Sequence, residues 1–204
     1  MEYTKVEFEN GIFAAYCEIP SVLDIASDSR FGVTNVRQDN VHHQRFAVGC
    51  LLKELFGIDS VLKHLPSGAP YLEKDGKPLP PISISHCKGM GAVSSGDVVT
   101  GVDVETISDR VLRVRERVFS NEELRFIGTS VKLHTLAWTA KEAIFKVIPE
   151  EGVDFKEDIQ LHLSAVSDDN KKNEYTATAY GREYKLTTMN VGDDKLLTVA
   201  YECK

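Results

Sequence analysis

A chain of 204 residues with 42% hydrophobic content is long enough to bury a real core, as one domain or two small lobes. Its net charge of −7 argues against non-specific nucleic-acid binding, which needs a broad basic surface to displace counterions. No apolar run is long enough to cross a bilayer. The start, Met1-Glu2-Tyr3-Thr4-Lys5, lacks the pattern of a signal peptide, and Cys17, Cys50, Cys87 and Cys203 have neither zinc nor disulfide spacing, so a cytoplasmic protein with reduced thiols and no membrane partner is expected.

Taken in order, Val6 and Phe8 alternate with polar residues, Asn10-Gly11 is a type I′ turn signal, and Ile12 to Ile19 continues as a strand, which predicts an opening hairpin. Ser21 is placed to cap a short helix reaching Ser29. Asp39 is placed to cap a longer one, with Val41, Phe46, Val48, Leu51, Leu52 and Leu55 mostly on one side and Gly57 as its stop. Arg30, Arg37, His42, His43 and Arg45 in this region read, each alone, as the polar face of an amphipathic helix. Gly68, Pro70, Gly76, Pro78, Pro80 and Pro81 predict a loop from Ser67 to Pro81.

Ile82 to His86 alternates as a strand with Ile82 and Ile84 inward, Ser83 and Ser85 on the other face and His86 at its end. Gly91 to Ser95 and Val98 to Glu105, separated by Gly96-Asp97, read as a hairpin that returns the second strand beside the first. That second strand carries the chemistry. In Gly101-Val102-Asp103-Val104-Glu105 the period of two puts both valines on one face and both carboxylates on the other. Next comes a helix with Val111, Val114 and Val118 on one side and Arg110, Arg113 and Arg117 on another. It reads equally as a solvated face or as a docking surface for an acidic helix. Ser120-Asn121-Glu122-Glu123 fits a capping box, which accounts for Glu123 without catalysis.

The stretch Trp138-Thr139-Ala140-Lys141-Glu142-Ala143-Ile144-Phe145-Lys146 is helical by its apolar spacing, with Ala140, Ala143, Ile144 and Val147 on the buried side and Pro149 as the stop. It supplies a third carboxylate, Glu142, flanked by two lysines. A salt bridge from Glu142 to Lys146 is the bland account of that pair, and it contributes only about 0.3–0.5 kcal/mol. Three hard oxygen ligands from a strand and a helix, with ammonium groups nearby, suit a magnesium ion shared with substrate phosphates. From Ile159 on, alternating segments at 160–166, 175–180, 184–189 and 195–202 predict an antiparallel meander without evident chemistry.

These residues resemble the 4′-phosphopantetheinyl transferases, in particular the longer, surfactin-type members. The family pattern is a Gly-(Ile/Val)-Asp-(Ile/Val)-Glu strand followed by Trp-(Ser/Thr)-x-Lys-Glu-(Ala/Ser)-x-x-Lys, matched by Gly101 to Glu105 and Trp138 to Lys146 at every fixed position. Ser85-His86 resembles the family's Ser-His motif, Gly68-Ala69-Pro70 its Gly-x-Pro, and Arg45 with Gly49 its Arg-x-x-x-Gly helix. The chain departs at Ala69, where many members have Lys or Arg, and at Cys87, where many have Ser.

The resemblance implies an α+β fold of two similar halves, residues 1–100 and 101–204, with the active site in the seam. It implies transfer of the phosphopantetheine arm of coenzyme A to a serine of an acyl or peptidyl carrier protein, releasing adenosine 3′,5′-bisphosphate. Asp103, Glu105 and Glu142 would hold Mg²⁺. Lys146 would hold the phosphates, and Glu142 would take the serine proton directly or through a water. Arg45 and His86 would bind the 3′-phosphate and adenosine end, with Ser85 and Pro70 shaping the pocket. The carrier would dock at Arg110, Arg113 and Arg117, and the chain would act as a monomer. A magnesium-dependent phosphohydrolase or nucleotidyl transferase would use the same carboxylates, and a non-catalytic acidic interaction module would use none of them.

Overall fold

The computed structural model describes residues 2–19 and 39–203, with residues 39–43 as backbone alone. The segment read as a helix from Ser21 to Ser29, Arg30 and Arg37, and the side chains of His42 and His43, lie outside that description. By its internal contacts the chain divides into two compact units, Met1–Asp97 and Val98–Lys204. Each mixes helix with antiparallel sheet, as an α+β chain should.

In the first unit the opening hairpin forms as the turn residues require. Strands β1 (Thr4–Glu7) and β2 (Phe13–Glu18) pair with Glu7 opposite Phe13, and Asn10 and Gly11 both take positive φ, 58° and 65°. Helix α1 (Asp39–Phe56) ends at Gly57, whose φ of 99° admits no ordinary side chain at low cost. It buries Ala47, Val48, Leu51 and Leu52 with Ala15, Cys17, Ile82 and Val93 of the sheet.

The expected loop from Ser67 to Pro81 is instead a small sheet of β3 (Val61–His64), β4 (Pro70–Lys74) and β5 (Lys77–Pro78). Its glycines are hairpin turns rather than breaks. Gly68 follows β3 with φ 87°, and Asp75-Gly76, both with positive φ, joins β4 to β5.

Strands β6 (Ile82–Cys87) and β7 (Met90–Ser95) form a tight hairpin, and the main sheet runs β1-β2-β7-β6. Here the sequence reading is corrected. The carboxylate strand β8 (Thr100–Thr106) does not return beside β7, because β7 already pairs with β2 on one side and β6 on the other. With both edges taken, Gly96-Asp97 passes the chain onward to the second sheet. Both faces of β6 also carry buried residues, so Ser83 and Ser85 are buried as Ile82 is, while His86 is exposed.

In the second unit β8 pairs with the last strand, and the order is β8-β12-β11-β10-β9, with β9 (Ile159–His162), β10 (Lys172–Ala179), β11 (Arg182–Val191) and β12 (Lys195–Glu202) all antiparallel. The expected single helix after Glu105 is two pieces, a 3₁₀ turn (Asp109–Arg113) and helix α2 (Arg115–Val118). Val111 and Val118 still face the core, and Arg110, Arg113 and Arg117 are exposed. Ser120 caps α3 (Asn121–Ile127) with the full capping box, and α4 (Val131–Phe145) lies across β8 and β12. Among the described residues no helix is long and apolar enough to cross a membrane.

Candidate active site

Strand β8 is buried on both faces, which the alternation alone does not reveal. Val102 and Val104 are fully buried on one side, and Gly101, Asp103 and Glu105 lie under α4 on the other. Gly101 is what allows the helix so close. A Cβ built there would stand 2.8 Å from the carbonyl carbon of Ala143 and 3.0 Å from Val147 Cγ2, and closer still to the Ala143 oxygen. A glycine opening an alternating strand was the available sign of such close backbone approach.

Threonines fix the helix laterally. Thr139 Oγ1 donates to the Leu136 carbonyl and lies 2.7 Å from Thr198 Oγ1. Thr198 in turn lies 2.7 Å from Thr188, and Thr188 lies 2.7 Å from Tyr175 Oη, a buried file of hydroxyls across β12, β11 and β10. Thr198 is the register partner of Asp103, so the file begins beside the carboxylate.

Asp103 and Glu105 of the strand come together there with Glu142 and Lys146 of the helix. Lys146, the cap residue of α4, donates from Nζ to Asp103 Oδ1 at 3.0 Å and to the Val102 carbonyl at 2.8 Å. The bland account, a salt bridge from Glu142 to Lys146, is therefore not what places this lysine. Trp138 Nε1 donates to Glu105 Oε1 at 3.4 Å, a role for the indole that the sequence reading missed. Burial, then Asp103 and Glu105, push the Glu142 carboxyl up to about 7 against the pull of Lys146. Glu105 is pushed up as well, by burial first and Asp103 second, with the Trp138 hydrogen bond and Lys146 opposing. The three carboxylates thus repel one another, with the Lys146 ammonium opposing that repulsion.

Among the described residues no three His, Cys, Asp or Glu side chains form a ready-made cage for a metal ion. Magnesium does not need one, since it keeps several waters and is commonly held by one or two carboxylates together with substrate phosphates. The donor set, all carboxylate oxygen with one lysine beside it, suits that ion.

The second lysine of the motif does not join the cluster. Lys141 is fully buried on the other side of α4, paired with Glu123, so the expectation of Glu142 flanked by two ammonium groups is corrected. Positions 141 and 146 are separated by about 140° around the helix, which sends them to different surroundings. The remaining candidates stand in the first unit. Arg45 is exposed on α1, next to Gln44, whose side chain reaches the Cys87 carbonyl at the end of β6. Ser85 is buried and His86 exposed on that strand, and Pro70 opens β4.

Residues 100–200 match the family model described as the 4′-phosphopantetheinyl transferase superfamily. The match covers β8, α4 and most of β12, and hence all four residues of the cluster. No curated protein matches the chain.

Proposed function

With a 4′-phosphopantetheinyl transferase superfamily domain at residues 100–200 as the premise, we propose that the protein moves the phosphopantetheine arm of coenzyme A onto a serine of an apo acyl or peptidyl carrier protein. Adenosine 3′,5′-bisphosphate leaves. The match supports phosphopantetheinyl transfer in general, with coenzyme A and a carrier protein as the partners in general. The magnesium requirement, the surfactin-type assignment with its two similar halves, the single-chain state and the residue roles below are parts of the proposal.

The observation that carries it is the meeting of Asp103, Glu105 and Glu142 from β8 and α4 with the Lys146 ammonium. Asp103 and Glu105, with Glu142 at the edge, would hold Mg²⁺, which when bound shields the pyrophosphate and the charge growing on its leaving oxygen. Lys146 tethers Asp103 in its place and adds positive charge where the phosphates arrive. Glu142, at the edge of the cluster, takes the proton of the serine hydroxyl, directly or through a water. By the resemblance, Arg45 and His86 would take the 3′-phosphate and adenosine end, with Ser85 and Pro70 shaping the pocket. The exposed Arg110, Arg113 and Arg117 offer an acidic carrier helix a complementary surface.

The test is mass spectrometry of an apo carrier protein incubated with this protein, coenzyme A and Mg²⁺. A pantetheine-sized mass gain that EDTA abolishes is expected. Release of phosphate or nucleotide from substrate with no change in carrier mass would instead identify a phosphohydrolase or nucleotidyl transferase. Inertness in both assays would leave an acidic interaction module.

A further inference from the structure

Lys141 is the charged residue of α4 that the acid cluster leaves unused, and its surroundings are unusually complete. With its side chain 0% exposed, it donates to the Phe155 carbonyl at 2.6 Å and the Ile159 carbonyl at 2.8 Å, and it pairs with Glu123 Oε2 at 2.9 Å. An ammonium has three donors, and here each has an acceptor. Glu123 is equally occupied. Besides Lys141, its oxygens accept from the Ser120 amide at 2.7 Å and the Leu161 amide at 3.0 Å. Burial pulls the Lys141 pKa down, and the Glu123 charge and hydrogen bond act against it.

Stability alone is a poor account of this pair, because well-packed apolar residues of similar volume usually serve a core as well or better. What an apolar side chain does not do is hold a carbonyl. Lys141 holds that of Phe155, a residue in the connection between α4 and β9 with no regular ladder to fix it. The Phe155 ring centre lies 6.0 Å from that of Trp138 and 5.5 Å from that of Phe145, both on α4. Trp138 donates to Glu105. A continuous path therefore runs from the buried ammonium through one backbone carbonyl and two packed rings to an acid of the site.

We propose that Lys141, paired with Glu123, is a positioning residue: by fixing the Phe155 carbonyl it seats the Phe155 ring against Trp138, and Trp138 holds Glu105 beside Asp103 and Glu142. The catalytic consequence rests on reading those acids as the site of transfer. The positioning itself does not, because Trp138 is the only tryptophan in the chain and reports on its own surroundings.

The variant to make is Lys141→Met together with Glu123→Gln, which leaves neither charge buried alone. With the protein shown folded by far-ultraviolet dichroism, Trp138 emission should shift to the red and its quenching by acrylamide should rise. For transfer, kcat should fall about 10-fold with the KM for coenzyme A unchanged, the usual scale for losing an outer-shell support. Phe155→Leu, which keeps the carbonyl and removes the ring, should give the same two changes and stands in if the double variant does not fold. Native fluorescence and native kcat in either folded variant overturn the proposal. A wild-type protein that transfers nothing refutes the functional reading, and the tryptophan signal then decides the positioning on its own.

Discussion

Replacing Gly101 with alanine tests the geometry that brings the acids together. The added methyl would sit 2.8 Å from the Ala143 carbonyl carbon and 3.0 Å from Val147 Cγ2, and inside contact distance of the Ala143 oxygen. Two of these atoms are backbone, so no rotamer change relieves the overlap, and α4 must back away from β8 by well over an ångström to restore ordinary contact near 3.5 Å. Overpacking of this kind costs about 1–3 kcal/mol and occasionally more, or about 2–12 °C in Tm for a chain of this size. The same retreat stretches the 3.0 Å bond from Lys146 to Asp103 beyond hydrogen-bonding range. Misplacement of catalytic groups by about 1 Å can lower the rate about 100-fold. Urea unfolding and the rate of pantetheine transfer read the two effects separately. Gly49→Ala in α1 is the control for stability: among the described residues nothing lies within 4 Å of its added methyl, and it should be neutral or stabilising by up to about 1 kcal/mol. If Gly101→Ala matches wild type in both stability and rate, the close approach does not govern the site.

Glu142 contributes to the pH dependence of the metal-free protein. Its carboxyl is pushed up from 4.5 to about 7, so between those values the folded state keeps a proton that the unfolded chain has released, and stability falls as pH rises through that window, by at most about 3 kcal/mol. Glu142→Gln should flatten that fall in pH-resolved denaturation curves, whereas a curve parallel to wild type contradicts the coupling. Lys146→Met leaves Asp103 buried without its ammonium. It should cost about 1–3 kcal/mol, below the full penalty for breaking a buried pair because the lysine is 26% exposed, and it should also depress transfer. Calorimetric titration with Mg²⁺ should give heat with wild type and none with Asp103→Ala, and equal heats would remove Asp103 from the ligand set. Arg113→Glu with Arg117→Glu should raise the KM for carrier protein and leave that for coenzyme A alone; unchanged carrier kinetics would dismiss the docking surface.

Much of this was written in local pattern. The hairpin at Asn10-Gly11, the capping box at Ser120, the end of α1 at Gly57 and the strand and helix that bear the acids all follow from spacings of a few residues, because turns, caps and faces are set by neighbouring dihedrals. The two motifs pointed to Asp103, Glu105, Glu142 and Lys146, which β8 and α4 bring together. Which edge β8 would join was not local. Its neighbour in sequence, β7, was already paired on both sides, and its partner proved to be β12, almost a hundred residues on. Nor did the letters separate two lysines five positions apart. Tertiary packing alone sent Lys146 to Asp103 and enclosed Lys141 with Glu123, since a lysine is buried only where distant groups supply acceptors for its whole charge, and those acceptors come from α3 and from the approach to β9.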